Sequence, residues 1–153
     1  MHYTKRLFVL AAFCLSAYPA FGGWSPDSIK DNHSQTLRVG FQGKIKYEAM
    51  LAKTVAKGPA TYSVGIHEGP AFDGKPHPVD HEHFMRAFNA FVRILEKMKK
   101  FSDQVICEKN VRVVVHREDN EIYREEFCLD RYPAVESQFS RWIDDVTALA
   151  TIK

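Results

Sequence analysis

The sequence predicts an α+β or small α/β fold, a two-layer sandwich of about four short strands and three helices in the order β-α-β-α-β-β-α. Three observations carry this. Phe84, Phe88, Phe91, Leu95 and Met98 step by four, three, four and three, and Val135, Phe139, Trp142, Val146 and Leu149 repeat that spacing. Both runs have the period of a helix burying one broad face. Elsewhere short stretches alternate apolar and polar residues, as half-buried strands do.

The first strand is read at Leu37, Val39 and Phe41. From Ile45 to Lys57, Tyr47, Met50, Leu51 and Val55 fit a helical face, and Gly58-Pro59 supplies a stop. Ile45, Tyr47, Ala49 and Leu51 also alternate, so Gln42-Gly43 would turn a hairpin instead. Ala49, Met50, Leu51, Ala52 and Ala56 are good helix formers, and composition favours the helix. Tyr62, Val64 and Ile66 make the next strand, ending at His67. A loop from Glu68 to Pro78 follows, rich in Gly and Pro and long for a small domain.

The long helix is predicted over Pro78 to Phe101. Asp80 is its N-cap, Val79 staples onto Phe84, and Glu82 suits the dipole at its start. Lys97, Lys99 and Lys100 suit the dipole at its end. Val111, Val113 and Val115 lie on one face of a strand that returns at Ile122 to Leu129 as a hairpin. If Asp119 and Asn120 are the turn residues, Cys128 pairs with Val111, and a bond to Cys107 needs a bulge, a longer turn or a neighbouring strand. Pro133 opens the last helix.

The first 22 residues read as a cleaved secretory signal: Lys5 and Arg6, an apolar run from Leu7 to Ala17, then Ala20-Phe21-Gly22. Residues 23–35, polar with Pro26, read as a flexible arm, and 36–153 as a single domain. Processing removes two of 21 basic residues and none of 19 acidic ones, so the processed chain is formally neutral. That gives nucleic-acid binding little support. The apolar run is too short for a retained membrane anchor. Cys107 and Cys128 remain as an even pair, a disulfide candidate in an exported chain, stabilising by about 3 kcal/mol in the chain-entropy model. Asn32-His33-Ser34 matches a glycosylation acceptor.

The residues with most chemistry cluster between 67 and 83. His67, His77, His81 and His83 could supply zinc ligands, with Glu68 or Glu82 as general base. Against a metal, His81 and His83 lie about 200° apart around a helix, and no HExxH spacing occurs. The first reading is therefore a small exported, non-enzymatic module that binds a protein partner outside the cytoplasm, of accessory, inhibitor or immunity type. Its contact residues are expected among Trp24, Phe72, Asp73, His77 and His81, with no cofactor. The alternative is a metal-dependent hydrolase built on the histidine cluster, with zinc as its cofactor. A small-ligand carrier is a third.

Overall fold

The computed structural model describes residues 23–43, 46–68, 75–98 and 106–151. The fold is α+β, with a six-stranded antiparallel sheet and two α-helices packed on one face of it. The strands are β1 (Gln35–Gln42), β2 (Lys46–Thr54), β3 (Thr61–Glu68), β4 (His77–Val79), β5 (Asn110–Arg117) and β6 (Asn120–Cys128). The helices are α1 (His81–Leu95) and α2 (Pro133–Thr151). Across the sheet the order is β4-β3-β2-β1-β5-β6. A meander of four strands thus precedes α1, and the β5-β6 hairpin then adds to the exposed side of β1.

Two features differ from the expected β-α-β-α-β-β-α order. The segment Ile45 to Lys57, expected as a helix, forms none over its described residues, from Lys46 on; Lys46–Thr54 is β2, hydrogen-bonded between β1 and β3. Its Ala, Met and Leu residues have helical propensity, yet Ala49 and Leu51 face the core while Met50 and Ala52 are buried on the opposite face. Pairing on both edges outweighs propensity differences of a few tenths of a kcal/mol, roughly, per residue. The other addition is β4, where His77–Val79 pairs with Tyr62–Val64 inside a stretch read as loop.

Residues 23–35 are not a loose arm. Trp24 and Ile29 are buried in the core, and Pro26–Lys30 forms a turn of 3-10 helix. Trp24 packs edge-on against Phe88 and lies 5.5 Å, ring to ring, from Tyr123 of β6. Two buried polar side chains fix the segment. Lys53 of β2 donates to the Ile29 carbonyl at 2.8 Å and also to that of Asp31. Gln35 donates to the carbonyl of Ser28 at 2.6 Å. A buried ammonium is tolerated where carbonyl oxygens replace its water.

Both predicted helices form, but α1 is shorter than the expected span 78–101. Pro78 and Val79 belong to β4, and the helix ends at Leu95, so Lys97 and Met98 lie beyond it and Arg93 is the basic residue of its last turn. Asp80 caps α1 by accepting from the His83 backbone N–H at 2.8 Å. Phe84, Phe88, Phe91 and Leu95 are buried, as are Val135, Phe139, Trp142 and Val146 of α2. The helices cross where the Trp142 indole donates to the Ala87 carbonyl at 2.9 Å and its ring packs on Phe91.

The turn of the last hairpin is Glu118-Asp119 rather than Asp119-Asn120, with Glu118 in the left-handed region at φ 51°. A register shift follows at Val115/His116, and Cys128 sits opposite Asn110. Cys107, just before β5, then lies with its Cα 5.8 Å from that of Cys128, and the disulfide is formed. Residues 1–22, the expected signal, lie outside the described residues, as do Lys99, Lys100 and Phe101. None of the described helices is long and apolar enough to cross a membrane.

Candidate functional site

The histidines between 67 and 83 do not converge. In a strand, side chains alternate between faces. Val64 of β3 is in the core, so His67, three residues on, belongs to the face away from the helices. His77 pairs with Val64 and belongs to the helix side. His81 lies at the start of α1 with its ring 5.0 Å from that of Tyr62. His83 is held by Asp80, ring nitrogen to carboxylate, at 2.6 Å. The His83 backbone N–H, and then its ring, hold the Asp80 carboxyl below the usual carboxylate range. Glu82 is paired with Arg86 at 2.8 Å, and Glu68 is exposed at the end of β3, opposite Tyr47. Among the described residues, the one group of three metal-ligating side chains within reach of a common ion is Cys107, Cys128 and Asp130. Both of its sulfurs are spent in the disulfide.

The expected contact residues fare differently from one another. Trp24 is a core residue, 1 % exposed, and offers no surface. Phe72 and Asp73 lie outside the described residues. His77 and His81 are exposed.

A better-defined site lies where no motif pointed, on the sheet face that the helices leave uncovered. The register sets its side chains in rows. One row runs Gly65, Met50, Arg38, Val114, Arg124 from β3 to β6. The next runs His67, Glu48, Gly40, Arg112, Glu126. Met50 and Val114 are each only 7 % exposed although no helix covers them. Arg38 stands between them in the row and Arg124 beside Val114. The apolar stems of such long side chains characteristically cover neighbouring apolar surface while their charged ends stay in water.

At the centre is a cavity of about 190 Å³ over Gly40, walled by Arg38, Lys46, Glu48, Arg112, His116 and Arg124. Four cations and one carboxylate thus line it. Three further contacts order the walls. Arg112 donates through Nε to Glu126 at 2.9 Å. Arg124 grips Glu121 with two nitrogens, at 2.8 and 2.6 Å, which lowers the Glu121 pKa and raises that of Arg124. Arg38 and Glu48 approach to 3.9 Å, a loose ion pair. Glycine inside a central strand costs roughly 0.5–1 kcal/mol relative to alanine. At Gly40 neither backbone nor neighbours demand it: its φ is not positive, and an added Cβ would meet only the Arg112 Cβ, at 3.9 Å.

The edges of the sheet are less suited to contacts. β4 is three residues long and contains Pro78, and β6 carries Glu125 on the core-facing side between Tyr123 and Phe127. A short proline-bearing edge and an inward charge both discourage pairing with another strand. A second groove, between the 3-10 turn and α1, is lined by Ile29, Met85, Phe88 and Val92. Ile106, beside the disulfide, is the one large hydrophobic residue fully exposed among those described.

Comparison with family models, with curated proteins and with solved structures returned no match to this chain.

Proposed function

We propose that this chain is a small exported binding module, non-enzymatic, which meets a protein partner outside the cytoplasm through the open face of its sheet. The observation that carries this reading is the cavity over Gly40, with its four cationic walls on a face the helices leave bare. The Cys107–Cys128 disulfide supports an oxidising compartment, where such bonds persist. The guarded edges favour the sheet face over strand addition as the mode of contact. A photo-crosslinking residue in place of Gln42, on the open face, is compared in the producing cell with one in place of Arg141, exposed on α2. The reading expects one discrete adduct from position 42 and none from position 141. Adducts from position 141 alone, or from neither, would overturn it.

A further inference from the structure

We infer that the cavity over Gly40 receives a carboxylate side chain, so that the partner presents an acidic segment to the open sheet face. The inference rests on the open-face reading and adds the chemistry of what binds there. Charge is the first argument. The chain as a whole is nearly balanced, with 21 basic and 19 acidic residues, yet the cavity is lined by Arg38, Lys46, Arg112 and Arg124 with Glu48 as its one acidic lining residue. Even counting Glu126 and Glu121, which pair with Arg112 and Arg124 from outside the lining, the cations remain in excess. Among the described residues Arg112 is bonded only through Nε, to Glu126, and its two terminal nitrogens suit a planar oxyanion. Arginine forks match carboxylates in this two-point geometry.

Size is the second. At about 190 Å³ the cavity is smaller than the roughly 300–1,000 Å³ of pockets that enclose a whole small molecule. One acidic side chain, its methylenes against Val114 and the arginine stems, suits that space better than a free metabolite.

The glycine is the third. Gly40 sits in a central strand where it is a destabilising choice, and no backbone or steric need explains it. Its effect is to lower the floor between the walls. A glycine placed for close approach is the reading these facts support.

The test is an NMR titration of the isotope-labelled, exported chain at about 20 mM salt, well below the screening of physiological ionic strength. The probes are a hexaglutamate peptide, the same peptide with glutamine, and inorganic phosphate. The inference expects saturable shifts from hexaglutamate in the amides of β1, β5 and β6, at least tenfold weaker binding in about 0.3 M salt, and no response to the glutamine peptide. Gly40→Val, which suits a strand and fills the floor, should keep the fold and weaken binding at least tenfold. Arg112→Gln should do the same without filling space.

Shifts confined to the helices, equal response to the glutamine peptide, binding of phosphate but not hexaglutamate, no binding, or a folded Gly40→Val that binds unchanged would each overturn it. The two readings fail separately. A partner crosslinked at position 42 with hexaglutamate silent refutes the acidic ligand alone, whereas no adduct at position 42 refutes the contact surface itself.

Discussion

Replacing Trp24 with alanine tests whether the N-terminal segment belongs to the core. A tryptophan side chain buries about 150–250 Å². At about 25 cal/mol per Å² that corresponds to about 4–6 kcal/mol, and large-to-alanine changes in cores typically cost about 3–5 kcal/mol once the site partly collapses. Trp24 is 1 % exposed and touches two aromatic rings, so the full range applies. We expect a loss of about 4 kcal/mol, a large part of the roughly 5–15 kcal/mol that holds a typical domain together. For a chain of this size that is a fall in Tm of about 10–20 °C. Urea denaturation followed by circular dichroism measures it, with Trp24→Phe as the control that keeps most of the apolar area. The anchoring by Lys53 and Gln35 remains in both variants. A loss below about 1 kcal/mol, with an unchanged dependence on urea, would mean that residues 23–35 are not part of the cooperative unit.

The disulfide closes a loop with a sequence separation of 21. The double change Cys107→Ser, Cys128→Ser should therefore cost about 3 kcal/mol, and mass analysis of the unreduced native protein should find neither of these cysteines alkylated; both alkylated would refute the bond. Asp80 gives a pH dependence whose sign follows from its lowered pKa. The carboxylate caps α1 fully at neutral pH, and its contribution is lost only as the pH falls through a value below the ordinary aspartate pKa of about 3.9. Carbon-13 NMR of the Asp80 carboxyl should show a midpoint below that value, and a midpoint at or above it would remove the cap from the account.

What could be read from the sequence is what depends on near neighbours. The stripes of α1 and α2 are set by residues three and four apart, and the Asp80 cap by its own N–H donors three residues on. The β5-β6 hairpin was equally local, with an error of one position at the turn. That error matters, because period-two alternation lets a single shifted residue decide what Cys128 faces. The stretch from Ile45 to Lys57 held both periods at once, and composition chose the wrong one. Only the presence of β1 and β3 on either side makes it a strand. The stretch before α1 is rich in histidine, yet pairing of His77 with Val64 places His77 on the opposite face from His67.

Sequence by itself thus determined an α+β chain with two amphipathic helices, the Asp80 cap of the first, a hairpin before the second and a cysteine pair that could close. Tertiary structure decided the rest. It drew Trp24 into the core, placed β5 beside β1, and so set Arg112 next to Gly40 from 72 residues away. Alternation along a strand names which residues share a face, but not which strands lie side by side. The cavity over Gly40 is made from ten residues on three strands and one from a fourth only after those long-range hydrogen bonds fix the register.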